Sequence, residues 1–276
     1  MEEKTLSYDG CSIFYRVYGK GKPLMLVHGF AEDGDIWKEQ VEYLEDKCRL
    51  IVPDLPGSGK SDPVHDMSME GMADVLKAVL DHAIPEVAPS IPPKGGSGGV
   101  TIIGHSMGGY ILLAFADKYG PLLQAMGLFH SSAYADSEEK KANRRKGIGF
   151  IKEHGAGEFL KTMIPNLFSD HSKERIPGVI AELIDRGNNF APSALVSYYD
   201  AMMQRPDRTA VLKKTAVPVM FIMGKYDNAV PMTDSLEQCH LPGIAYIHVL
   251  QESGHMGMRE EAEKSNRILE KFLLES

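Results

Sequence analysis

The sequence predicts an α/β chain with a mostly parallel central sheet, helices on both faces, and one inserted helical cap. Three observations predict it. Short apolar runs, too brief for helices, alternate with longer amphipathic stretches, which is the pattern of repeated strand and helix units packed as a parallel sheet. One of these runs leads into a Gly-x-Ser-x-Gly turn with a helical pattern after it. The alternation then lapses between residues 131 and 208, where helical patterns succeed one another without a convincing strand.

The 276 residues, 43% of them hydrophobic, can bury the core of one large domain, or of one domain with an insertion. A formal net charge of -8 argues against a nucleic-acid partner, which needs concentrated Lys and Arg. The densest basic stretch, residues 140–146, comes after Glu138 and Glu139 and reads as a solvated helix face. No apolar run succeeds the acidic opening Met1-Glu2-Glu3-Lys4, so neither a secretory signal nor a membrane span is expected and a cytoplasmic location is. Cys11, Cys48 and Cys239 are far apart and odd in number, which speaks against a disulfide framework or a zinc site.

From the N-terminus, residues 5–8 and 12–17 read as strands of a hairpin, because Asp9-Gly10 between them is a strong two-residue turn signal. Further strands are expected at 24–27, 50–52, 100–103, 125–129, 217–223 and 245–250, and helices at 67–83, 110–118 and 260–274. Residues 1–130 and 209–276 would form the core and 131–208 the cap, with turn signals at Gly155, Pro165, Pro177 and Pro192. Of the apolar cap residues, Met163, Ile164, Leu167 and Phe168 are placed at a substrate pocket between cap and core. Residues 92–99, Pro-Pro-Lys-Gly-Gly-Ser-Gly-Gly, have linker composition and read as a loop away from the chemistry, natural or grafted.

The motif that carries chemistry is residues 100–110, Val-Thr-Ile-Ile-Gly-His-Ser-Met-Gly-Gly-Tyr. An apolar strand, a Gly-x-Ser-x-Gly turn and a helix together make a nucleophile elbow. The glycines at 104 and 108 let strand and helix approach, and the bend lifts the Ser106 hydroxyl to the helix N-terminus. On these residues the chain resembles the α/β-hydrolase superfamily, as a carboxylesterase-like serine hydrolase, over nearly everything outside the cap.

The resemblance implies several roles. His28-Gly29-Phe30 looks like the superfamily's oxyanion turn, which would make the Phe30 and Met107 backbone N–H groups the oxyanion donors. His28 itself reads as a buried residue holding that turn. Residues 54–61, Asp-Leu-Pro-Gly-Ser-Gly-Lys-Ser, resemble the superfamily's structural turn; a phosphate loop would need glycine where Asp54 stands. The superfamily order is serine, acid, histidine. Downstream of the cap, His248 falls inside a strand and His240 in a loop, which leaves His255 as base. Asp227, in a Gly-x-x-Asp-x-x-x-Pro turn, is favoured as acid over Asp234. The turn one strand earlier, where some relatives carry the acid, has no carboxylate until Asp136.

The activity these roles imply is hydrolysis of a small to medium carboxylic ester through an acyl-enzyme, with neither cofactor nor metal, by a monomer or homodimer. An ordinary histidine predicts a rise of rate with pH through about 6.5. Ser106 excludes the superfamily's aspartate-nucleophile branches, the haloalkane dehalogenases and epoxide hydrolases. Lactonase, thioesterase, C–C hydrolase and cofactor-free peroxidase chemistry stay open on the same residues, as does a ligand-sensing signalling protein that keeps the triad.

Overall fold

The computed structural model of the chain describes residues 1–85 and 99–276. The linker-like stretch at 92–99 thus lies, Gly99 apart, outside the described residues. The chain opens with the expected hairpin, β1 (Glu2–Tyr8) and β2 (Cys11–Tyr18). Asp9 and Gly10 take φ of 49° and 82°, the positive values a two-residue turn of this hand requires. Six more strands complete the set: β3 (Pro23–Val27), β4 (Arg49–Pro53), β5 (Val100–His105), β6 (Leu123–Phe129), β7 (Val219–Gly224) and β8 (Ala245–Leu250). They form one eight-stranded sheet in the order β1-β2-β4-β3-β5-β6-β7-β8. Among the described residues only the β1/β2 and β2/β4 pairs are antiparallel; β3 to β8 run parallel.

Helices cover the faces. α1 (Lys38–Leu44) and α2 (Met69–Ala83) precede the central strand, and α3 (Met107–Tyr119) leaves it directly. Ser68 caps α2 by accepting from the Gly71 N–H at 3.0 Å, a common start signal. Between β6 and β7 run α4 (Glu138–Met163), α5 (Asp170–Arg175), α6 (Pro177–Gly187), α7 (Pro192–Gln204) and α8 (Thr209–Lys214), with no strand among them. α4 breaks at Gly155, whose φ is 85° and ψ 169°. Pro177 and Pro192 each open a helix, where the missing N–H costs nothing. After β7 come α9 (Met232–Leu236), α10 (Gly257–Glu260) and α11 (Ala262–Glu275). α2 packs on α3 and α1 on α11.

The central strands are mostly apolar because both faces are covered; every residue of β5 and β7 is buried. Parallel register is what positions the site. Val27 pairs with Gly104, His105 with Phe129, Phe129 with Ile222, and Gly224 with Leu250. The carboxyl ends of β3, β5, β6, β7 and β8 therefore finish along one edge, where open α/β sheets form their crevice. No described helix is long and apolar enough to cross a membrane.

Candidate active site

Ser106 is the hinge between β5 and α3, with φ 50° and ψ -115°, a region disfavoured for any residue with a side chain. Its neighbours explain how it is held there. A Cβ on Gly104 would run into the backbone of Gly108, and one on Gly108 would lie 2.5 Å from the His28 carbonyl oxygen. The Ser106 N–H donates to the Phe129 carbonyl at 2.9 Å. Its own carbonyl accepts from the Gly109 N–H at 3.0 Å and from the Ser131 hydroxyl at 2.8 Å.

His255 lies beyond β8 and Asp227 beyond β7. The His255 Nε2 is 2.9 Å from the Ser106 Oγ, and its Nδ1 is 2.7 Å from the Asp227 Oδ2. The other carboxylate oxygen of Asp227 accepts from the Ala229 and Val230 N–H groups at 2.9 and 2.8 Å. Burial opposes ionisation of Asp227, but the facing histidines outweigh it and hold the carboxyl well below its usual range. Burial likewise opposes charge on His255, yet the Asp227 carboxylate prevails and raises its pKa above the ordinary histidine value. The rise of rate expected near pH 6.5 therefore belongs at higher pH.

The turn after β3 abuts Ser106: a Cβ on Gly29 would sit 3.1 Å from the Ser106 Cβ. His28 is fully buried, with Nε2 accepting from the Leu55 N–H at 2.9 Å, so Nδ1 carries the proton and donates to the Gly29 carbonyl at 2.9 Å. Phe30 lies in this turn. Met107 is the first residue of α3, and its N–H is among the amides a helix leaves without an intrahelical partner.

Several buried polar side chains escaped the sequence. Glu32 accepts from the Gly29 N–H at 2.6 Å and lies 3.0 Å from the Nδ1 of His105, whose Nε2 meets the His255 carbonyl at 2.9 Å. Glu260 accepts from Ser169, Gly254 and Met256 N–H groups at 2.9 to 3.1 Å and so fastens the loop that carries His255. His130, at the end of β6, places its Nδ1 3.0 Å from the same Asp227 oxygen that His255 uses. Nothing local in the sequence distinguishes these residues, since each bonds to a distant segment. His130, Asp227 and His255 offer ligand atoms within 4.8 Å of one another. A cation there would have to displace the protons that the two imidazoles share with Asp227.

A cavity of about 500 Å³ opens at Ser106 and His255. Phe30, Met163, Leu167, Tyr199, Met202 and Val230 form its apolar wall, and Asn143 and Arg144 of α4 stand on a polar side. Ile164 and Phe168, placed at the pocket by the sequence, are instead buried in the core and absent from the wall. Met163 and Leu167 sit at either end of a short 3-10 turn, and packing turns the side chains at 164 and 168 inward. A second hollow, about 630 Å³, lies between residues 57–63 and 186–194. Arg186 there is held by Asp33 and Asp35.

A profile described as Alpha/beta hydrolase family matches residues 24–267. The chain is 28% identical to an esterase from Thermogutta terrifontis, solved with malate bound, with a TM-score of 0.89 over 100% of this chain and 99% of that one. It is 27% identical to a non-heme chloroperoxidase from Kitasatospora aureofaciens, over 96% of this chain and 97% of the relative. A pimeloyl acyl-carrier-protein methyl ester esterase from Methylococcus capsulatus is 24% identical over 96% of this chain and 99% of its own.

Proposed function

The chain belongs to the alpha/beta hydrolase family, and from that premise we propose that it is a serine hydrolase that cleaves small to medium carboxylic esters. One observation carries the proposal: Ser106, His255 and Asp227 stand in a line of hydrogen bonds at 2.9 and 2.7 Å, with the serine on a strained elbow at a helix N-terminus. A hydroxyl bonded to a neutral imidazole that a carboxylate orients is the arrangement acyl transfer needs. The esterase from Thermogutta terrifontis supports esters as the substrate class.

Ser106 Oγ attacks the ester carbonyl as its proton passes to the His255 Nε2. The Phe30 and Met107 N–H groups hold the oxyanion, and Asp227 stabilises the imidazolium. The imidazolium returns its proton to the departing alkoxide as the acyl-enzyme forms. A water molecule then gives its proton to His255, attacks the acyl carbon, and frees the acid and Ser106. Residues 131–208 form a lid over the cavity, and the apolar wall of Phe30, Met163, Leu167 and Met202 takes an apolar acyl or alcohol group.

Fluorophosphonate labelling with peptide mapping tests the nucleophile, and a panel of esters, lactones and thioesters tests the class. We expect the label on Ser106 and hundreds of turnovers of a short p-nitrophenyl ester. Ser106→Ala should lower kcat by at least about 10⁴-fold with an unchanged fold. Substantial activity in that variant refutes the nucleophile, and a protein that stops after one equivalent is a ligand sensor.

A further inference from the structure

We propose that His130 is a positioning residue for the acid, supplying Asp227 with a second N–H donor that restrains how strongly the carboxylate holds the proton on His255. The inference rests on the Ser106-His255-Asp227 reading and extends it to a residue from a third strand.

The geometry is specific. The Asp227 Oδ2 takes the His255 Nδ1 at 2.7 Å and the His130 Nδ1 at 3.0 Å. The Gly224 N–H also donates toward the His130 Nδ1 at 3.1 Å, so the position of the ring proton must be assigned. If Nε2 carried it, a buried donor would go unpaired, because Nε2 has no partner among the described residues, and a nitrogen lone pair would face an ionised carboxylate. With the proton on Nδ1, the Nε2 acceptor site and the Gly224 N–H go unpaired, but the ring gains a charge-assisted bond to the buried carboxylate, about twice as strong as the neutral bond given up. The Nδ1–H form is therefore the one this pocket stabilises. Full burial lowers the His130 pKa, so the ring donates without adding a second positive charge beside the base.

The backbone shows what holding it there demands. His130 has φ 49°, in the left-handed region that L side chains avoid, and it is anchored by its N–H to the Ile222 carbonyl at 2.8 Å. A donor that shares the acceptor oxygen drains charge from it and weakens its pull on the other proton. The charged or titratable groups facing the base are Asp227 and His130 from the ends of β7 and β6, His105 and Glu32 from β5 and the oxyanion turn, and Glu260 from α10.

Two variants separate donor from backbone. His130→Gly relieves the positive φ and removes the N–H. His130→Asn also tolerates that φ and puts an amide N–H the same number of bonds from the backbone as the imidazole Nδ1. Profiles of kcat/KM against pH with a p-nitrophenyl ester, alongside fluorophosphonate labelling of Ser106, are the test. His130→Gly should lose about 10-fold to 100-fold in kcat/KM and shift its acid limb to higher pH, because the relieved carboxylate holds the His255 proton more tightly. His130→Asn should return the limb to the wild-type position. A glycine limb that superposes on wild type, or an asparagine variant no better than glycine, overturns the proposal. Should the glycine variant not fold, histidine ¹⁵N spectra of the wild type decide: a His130 ring protonated on Nε2 overturns it, and an Nδ1–H form that does not titrate through neutral pH upholds it. Failure of wild-type Ser106 to label overturns the triad reading and this proposal together, whereas a labelled Ser106 with an unshifted limb overturns this proposal alone.

Discussion

Ser106 and His130 are both non-glycine residues at positive φ, 50° and 49°, and conformations of this kind cost about 1–3 kcal/mol each. Both are pinned by backbone bonds to neighbouring strands, Ser106 to Phe129 and His130 to Ile222, so sheet pairing sustains the strain. Glu32 reaches toward His255 through His105. Its carboxylate is buried, which disfavours ionisation, but His105 and the Gly29 N–H hold its pKa below the usual value. The resulting negative charge adds to that of Asp227 in raising the His255 pKa. On the proposed mechanism rate is lost as pH falls through that raised value, since His255 must be unprotonated to take the Ser106 proton. Glu32→Gln removes the charge but keeps an oxygen for Gly29, so the acid limb of kcat/KM should move to lower pH and kcat should fall about tenfold. A limb that stays in place, or moves upward, would contradict this account.

At the scale of elements, polar contacts tie the helices between β6 and β7 to one another and to the core. Asp136 is buried between two guanidiniums, Arg144 at 2.5 Å from α4 and Arg205 at 2.8 Å from the end of α7. Arg205 in turn lies over the Tyr110 ring of α3 at 3.8 Å. Tyr198 of α7 donates to the Pro56 carbonyl at 2.5 Å and shares a bond with the Ser58 hydroxyl at 2.7 Å, so the turn at 54–61 serves as a docking surface. Asp136→Ala would leave a buried cation at Arg205 without its carboxylate, and we expect a loss of about 3–5 kcal/mol in urea unfolding. A change below about 1 kcal/mol would show that Asp136 does not tie α4 to the end of α7.

For the whole molecule, acid should be the effective destabiliser. Glu32, Asp33, Asp136 and Asp227 are all shielded from water, which alone would raise their pKa values, and each is lowered instead by an ion pair or hydrogen bonds. A depressed carboxylate contributes stability that is complete above its unfolded pKa, about 4, and is lost as pH falls through the folded value. His255 has the opposite sign: its raised pKa contributes below about 6.5 and the contribution disappears as pH rises through the folded value. Melting temperatures measured from pH 8 to pH 3 should therefore drop steeply below about pH 4. A Tm that holds level to pH 3 would mean that these pairs do not couple to folding.

What the sequence by itself determined is whatever a short stretch of backbone must satisfy locally. Asp9-Gly10 demands a tight hairpin, the apolar runs demand buried strands, and Gly104 and Gly108 demand a bend with a side chain at its apex, so the sheet and the bend at 106 were legible in the chain alone, whereas 227 and 255 were picked out by resemblance to a family order of serine, acid and histidine. Only the tertiary structure decided the company those positions keep. Glu32 meets His105 across 73 residues, His130 meets Asp227 across 97, and His105 meets the His255 carbonyl across 150. The same holds for the proton on His28, the upward pull on His255, and the inward turn of Ile164 and Phe168 beside Met163 and Leu167. Each depends on strand register and on exclusion of water, which belong to the assembled sheet and to no segment of it.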